Sequence, residues 1–402
     1  MKLLFVLNSG FDTYGPSLHL YKALIEDLLS SGHTVHLIES VSTRKDPVIP
    51  RSLENRDNFS FELVPLNLTE KKQFAKRYLA GVLYSFRTIS RLRKLKGYDV
   101  VHVQSCPWAP FLVTFVKNIL KIPTVFNVQD MFPGSSIASG VMDKRWMQKF
   151  FYYFQKKAYK KADIITVISE DMKSRVIEQG VLPDKVRVIV NWYDDSFVRE
   201  IPWNENLFVK KYGMTQDKFY IQYAGTMGFV FDYQMVLTVA ERLQTYKDIV
   251  FQMIGFGSQY NDFIKAANER KLDNIVFYPL EPQPMVPHVY SACSICFIPL
   301  KRDIIGNSVP SKAGLLMSCR RVIVNSVDEW SDYYKMFERY RIGLSASNLD
   351  SEAVVNCILR LYNDRSLIDQ LANNAQEYGE SYYSRTVNTK LYENLYKEMS
   401  AR

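Results

Sequence analysis

The sequence predicts an α/β protein built from two doubly wound domains. Three observations carry that reading: the chain length, an early series of β-branched runs alternating with amphipathic stretches, and a second such series starting near Phe219. At 402 residues the chain exceeds what one ordinary hydrophobic core accommodates, because domains run about 100–200 residues. With 47% hydrophobic and 23% charged residues it has the composition of a folded chain rather than a disordered one.

In the first series the expected strands are 2–7, 34–38, 100–104, 124–128, 164–168 and 186–190. Between the first two, Leu18, Tyr21, Leu24, Ile25 and Leu28 share one helical face that Gly32 ends, which makes a βαβ opening. The second series places strands at 220–223, 250–254, 275–278, 295–298 and 322–324, with helices at 232–246, 258–270 and 311–318. Asp194, Asp195 and Pro202 interrupt the periodicity between the two series. The expected domains are 1–195 and 196–380. Helices are expected at 351–379 and 385–400, with 381–402 a terminal helix packing back on the first domain.

Residues 1–11 hold only five consecutive apolar positions, Leu3 to Leu7, too few for a signal-peptide core. No stretch of about 20 apolar residues follows, so the chain is not expected to span a bilayer. Five cysteines in a chain of this length do not suggest a disulfide framework, and a reducing cytoplasm is the expected setting. Cys293 and Cys296 have C-x-x-C spacing without a second pair or a histidine cluster, and read better as buried small side chains than as metal or redox groups. The five histidines show no ligand spacing, so no metal is expected.

The formal charge of +9 is unevenly placed. Residues 1–195 hold 28 Lys+Arg against 19 Asp+Glu, which leaves 23 of each for the remainder. Two stretches concentrate the excess. From Lys71 to Lys96 there are nine basic residues and no acid, among them Lys71, Lys72, Arg77, Arg87 and Arg91, interleaved with aromatic and aliphatic side chains. From Lys144 to Lys161 there are seven, including Lys149 and Lys156, around Trp146 and Phe150–Phe154. A basic face flanking aromatic residues suits a helix lying in lipid headgroups, where each cation contributes about 1 kcal/mol near an anionic surface. A solvated charged face with its aromatics turned inward is the other reading. Nucleic-acid binding is not expected, because no signature of it accompanies the charge.

In open α/β sheets ligands bind beyond the carboxyl ends of the strands, where strand order reverses, so two such sheets facing each other create one cleft. Strand-end residues are therefore the candidates. Gly225-Thr226-Met227-Gly228 follows a strand, and glycine there lets backbone approach a phosphate closely. The loop Gly306-Asn307-Ser308-Val309-Pro310-Ser311-Lys312 leads into a helix with Pro310 and Ser311 near the cap, where free N–H groups and the Lys312 ammonium favour a diphosphate. Asp130 ends a strand beside Gln129, and either orients an acceptor hydroxyl, takes its proton, or caps a turn. His102, inside an apolar strand, reads as a core residue.

Seven pieces in order resemble family 4 retaining glycosyltransferases of the GT-B fold, two Rossmann-like domains facing across a cleft, in the branch that builds bacterial O-antigen and capsule units. They are Gly32-His33-Thr34-Val35, Asp99-Val100-Val101-His102-Val103, Gln129-Asp130-Met131-Phe132-Pro133, the run 162–169, Asn191-Trp192-Tyr193-Asp194, 223–228 and Val309-Pro310-Ser311-Lys312. The Asp-Met-Phe-Pro and Pro-Ser-Lys pieces resemble the N-acetylfucosaminyltransferase-like subgroup. The resemblance implies a UDP-sugar bound by the second domain near Gly225, Thr226, Gly228, Asn307, Ser311 and Lys312, with Gly15, Gln129 and Asp130 on the acceptor side. It also implies a polyprenyl-diphosphate-linked saccharide as acceptor, no metal or other cofactor, and work against the inner face of the membrane. Many relatives carry two glutamates seven positions apart where this chain has Ser308 and Leu315. That departure keeps two other readings open, a catalytically silent subunit activating a partner glycosyltransferase and a nucleotide-sugar epimerase of the same fold.

Overall fold

A computed structural model describes residues 1–11, 17–41, 49–66, 74–138 and 142–401, with backbone alone for 74 and 75. The chain forms two compact units, one of Met1–Val190 with Asn388–Arg402 and one of Asn191–Val387.

The first unit holds a seven-stranded parallel sheet of β1 (Lys2–Val6), β2 (Thr34–Val41), β3 (Phe59–Pro65), β4 (Val100–Gln104), β5 (Thr124–Val128), β6 (Ile164–Val167) and β7 (Val186–Val188), in the order β3-β2-β1-β4-β5-β6-β7. Strands β4 and β5 are buried at every position, as a parallel sheet covered on both faces requires. The helix Phe74–Leu92 approaches closely at Gly81, where a Cβ would lie 2.1 Å from the Trp108 ring. The end of the chain returns here. In the helix Arg385–Ser400, Tyr396 places its hydroxyl 2.8 Å from His102 Nδ1, and the Tyr392 hydroxyl receives a 2.7 Å hydrogen bond from Asn127 Nδ2. His102 is thus a core residue stacked on Phe5, and burial pulls its pKa down to about 3.

The second unit holds six parallel strands: β8 (Phe219–Thr226), β9 (Ile249–Phe256), β10 (Ile275–Tyr278), β11 (Ile295–Pro299), β12 (Ile323–Val327) and β13 (Gly343–Ser347), in the order β10-β9-β8-β11-β12-β13. Side-chain caps set its helix starts. Asp232 accepts from Met235 N, Asp350 from Ala353 N, and Asp364 from Leu367 N. Asp364 also divides the helix expected over 351–379 into Ser351–Asn363 and Arg365–Tyr378. Two strands escape the periodicity reading, β3 and β13, both at sheet edges. Arg321 is structural: it donates to Glu200, to the Cys293 carbonyl and to the Cys319 carbonyl, which ties the amino side of β12 to the entry of the unit.

Candidate active site

The order of the second sheet reverses between β8 and β11, so its switch point is flanked by the residues after β8 and the loop after β11. Those segments are Gly225–Gly228 and residues 301–312, and Lys312 joins them. Its ammonium donates to the Ala224 carbonyl at 2.9 Å and stands 3.8 Å from the centre of the Tyr223 ring. A Cβ on Gly225 would lie 2.2 Å from Lys312 Nζ, so glycine is what lets the cation sit beside the strand end. Surrounding protein pushes the Lys312 pKa down to about 7. The side chain as a whole keeps partial exposure.

Tight backbone contacts hold this edge. Gly255, with φ +136, passes Gly225 so closely that a Cβ would lie 2.1 Å from the Gly225 carbonyl oxygen. Gln259 donates to Phe231 O at 3.2 Å and accepts from Lys301 Nζ at 3.0 Å, linking the ends of β8, β9 and β11. Tyr223 and Gln259 are absent from the sequence-derived candidates, because their partners lie far away in the chain, whereas Lys301 opens the loop 301–312 already expected at a strand end. Asp328, just after β12, is a further residue of this kind. It is buried, accepts from Asp303 N at 3.0 Å, and so fixes the loop that leads to Lys312.

The loop narrows one expectation, that Pro310 and Ser311 lie near the helix cap. The helix begins at Ala313, Lys312 occupies its cap position, and no side chain caps it. Ser311 is exposed one residue earlier and does not serve as the cap. Asn307 is buried and its amide donates to the Asp303 carbonyl at 3.1 Å, so that group braces the loop. Thr226 is exposed and Gly228 half-buried beyond the strand end. Of the two positions of the missing glutamates, Ser308 stands in the loop and Leu315 in the helix, and neither supplies a charge.

In the first unit the order reverses between β1 and β4. Asn8 after β1 donates from its amide side chain to Ser105 O at 3.0 Å, and Gln104 Oε1 accepts from Asn8 N at the same distance. Gln129 donates to Asn127 Oδ1 at 3.0 Å, which points it back toward the core of this unit. Asp130 is exposed, yet nearby protein pushes its carboxyl up to about 6. That value lies below neutral pH, so the carboxyl is ionised there. Gly15, Lys71 and Lys72 lie outside the described residues.

The two basic stretches are helices, Phe74–Leu92 and Arg145–Lys161. Leu79, Leu83 and Phe86 form an exposed apolar stripe on the first, and Trp146, Phe150 and Tyr153 do so on the second at i, i+4, i+7. These aromatics do not turn inward: Trp146 is 67% exposed and Tyr153 63%. Lys149, Lys156 and Arg87 are exposed and Arg77 is half-buried. Arg91 differs from expectation, because its guanidinium pairs with Glu62 at 3.1 Å and its charge is answered within the protein. Among the described residues no helix is long and apolar enough to cross a membrane.

Two parallel-sheet α/β units in succession give the chain the GT-B fold, which it shares with solved glycosyltransferase structures. Residues 20–192 match the glycosyl transferase 4-like domain, and the chain is an enzyme of the transferase class. It is 24% identical over 301 residues to a Pseudomonas aeruginosa protein named as a glycosyltransferase, WbjE, covering 72% of this chain and 73% of that one. It is 22% identical over 283 residues to an Escherichia coli (strain K12) protein whose name describes a colanic acid biosynthesis glycosyl transferase, WcaI, covering 69% of each. The crystal structure of Anabaena HepE in complex with UDP and glucose shares the fold with a TM-score of 0.73 at 14% identity, over 98% of this chain and 99% of that one.

Proposed function

We propose that the chain moves a sugar, an N-acetylated hexosamine or deoxyhexosamine, from a UDP-sugar to a polyprenyl-diphosphate-linked saccharide in bacterial surface polysaccharide synthesis. The transfer proceeds with retention, without a metal, at the cytoplasmic face of the membrane. The observation that carries this reading is the Lys312 ammonium, enclosed at the switch point with a carbonyl and an aromatic face as partners but, among the described residues, no carboxylate. A buried cation without a counter-ion favours an anion, and a diphosphate arriving beside Gly225 supplies one. As the bond between the anomeric carbon and the diphosphate breaks, Lys312 stabilises the charge developing on the departing group. Asp130, ionised above about pH 6, orients the acceptor hydroxyl or takes its proton as the new glycosidic bond forms.

Three further points support the assignment. The HepE structure contains UDP and glucose, the WcaI name refers to colanic acid, and the exposed aromatic stripes of the first unit carry lysines suited to an anionic surface. The subgroup resemblance of the Asp-Met-Phe-Pro and Pro-Ser-Lys pieces favours an N-acetylated deoxy sugar. Thermal stabilisation by UDP-, GDP- and dTDP-sugars tests the donor: UDP-sugars should raise the melting temperature and the others should not. No stabilisation by any UDP compound would refute the donor assignment.

A further inference from the structure

The first unit carries an open groove of 340 Å³ between two of its outer helices, within the range of about 300–1,000 Å³ usual for ligand pockets. Pro110, Phe111, Phe115 and Ile119 line it from one side, and Phe154 and Lys157 from the other. Lining positions recur every four residues from 110 to 119, which is one face of a helix, so the groove follows that helix axis for about 13 Å. Val116–Leu120 is wound as a short π-helix, a widening that recurs at functional positions, and Ile119 within it is 61% exposed.

The groove continues the aromatic stripe already described. Phe111 and Phe154 have ring centres 5.6 Å apart, and Phe154 meets Phe150 at 4.8 Å and Tyr153 at 5.4 Å. Cations edge it: Lys157 stands on the lining, and the Arg93 guanidinium lies 5.6 Å from the Phe115 ring. Its direction is informative. The helix Ala109–Phe115 starts shortly after Gln104 ends β4, beside the switch point of this sheet, and the chain is back at the amino edge by Thr124. The groove therefore begins near the edge assigned to the acceptor and leads away from it.

We propose that this groove holds the polyisoprenoid chain of the lipid-linked acceptor, a proposal that rests on the acceptor class given above. A bilayer acyl chain has no reason to start at that edge, whereas a hydrocarbon tethered to the acceptor diphosphate must leave it somewhere. The apolar walls take the chain and the cationic rim matches an anionic lipid surface.

Flotation of the full chain with phosphatidylcholine vesicles tests this, one set carrying a long polyisoprenyl phosphate and the other phosphatidylglycerol at matched surface charge. The wild type should bind the polyisoprenyl vesicles about tenfold more tightly. Ile119→Glu, at an exposed position, and Thr114→Trp, which fills the groove, should abolish that preference while retaining binding to phosphatidylglycerol and the wild-type melting temperature. Equal binding of the wild type to both vesicles, or a preference that survives both variants, overturns the proposal. So does a dimer in gel filtration that Ile119→Glu dissociates, because a second copy would then be the occupant. If the groove idea fails in this way while sugar transfer from UDP-sugars persists, the transferase reading stands. Absence of transfer to every lipid acceptor sinks that reading instead.

Discussion

The proposed function concentrates the donor chemistry in one side chain, Lys312, whose behaviour is open to direct measurement. Lys312→Ala removes a charge-assisted phosphate contact, so kcat/KM should fall by about 10- to 1000-fold, with KM for the donor raised. An unchanged rate would remove Lys312 from the site. Because burial holds its pKa near 7, below the ordinary 10.5, the free protein loses this charge as pH rises through 7. Affinity for UDP should therefore weaken between about pH 7 and 9, and calorimetry should find that dependence gone in Lys312→Met. The same shift costs stability: the unfolded chain keeps the proton up to about 10.5, so the folded form gains relative stability as pH rises from 7 toward that value. Gly225→Ala should also weaken UDP binding, since φ +149 disfavours a side chain and the new Cβ displaces the Lys312 ammonium. Strand-end position made Gly225 and Lys312 legible in the sequence. Tyr223 as the aromatic floor was not legible, because that contact spans 89 positions between residues 223 and 312.

At the scale of elements, local chemistry explains what periodicity reveals and what it misses. Buried strands such as β4 and β5 announce themselves by continuous apolar runs, whereas β13 reads Gly-Leu-Ser-Ala-Ser, small and polar at a sheet edge. The terminal helix is legible as a helix, but the cluster that seats it is not. Glu393 is buried and accepts from Lys390 and Lys397 at 2.6 Å, with His33 Nε2 3.1 Å away, and the two lysines first, then His33, hold its carboxyl down at about 2. A depressed carboxyl pKa stabilises the fold fully above the unfolded value of 4.5 and loses that contribution as pH falls from 4.5 toward 2. The acid-unfolding midpoint of the wild type should thus lie below that of Glu393→Gln, and coincident midpoints would contradict the assignment. On the helix Arg145–Lys161, replacing Lys149 and Lys156 together by alanine should weaken binding to anionic vesicles by about 2 kcal/mol and leave melting unchanged. Vesicle affinity equal to that of the wild type would place the solvated-face reading ahead.

For the whole molecule, charge and exposed aromatic surface are divided unevenly along the chain. The excess positive charge falls within residues 1–195, the stretch that also carries the exposed aromatic stripes, while the remainder is neutral overall and carries the enclosed ammonium. Composition was enough to read the charge asymmetry from sequence. Ser311, expected near the helix cap, stands one residue before it, because helix starts are set within one turn by contacts that no local pattern encodes. The central claim is transfer from a UDP-sugar to a lipid-linked acceptor. Its most direct test mixes the purified protein with UDP-N-acetylhexosamines and bacterial lipid extract, following both free UDP and labelled sugar in the organic phase. The account predicts UDP released in step with sugar entering the lipid, and only when extract is present. Sugar converted to an isomer without extract, or no UDP released with any donor, would contradict it.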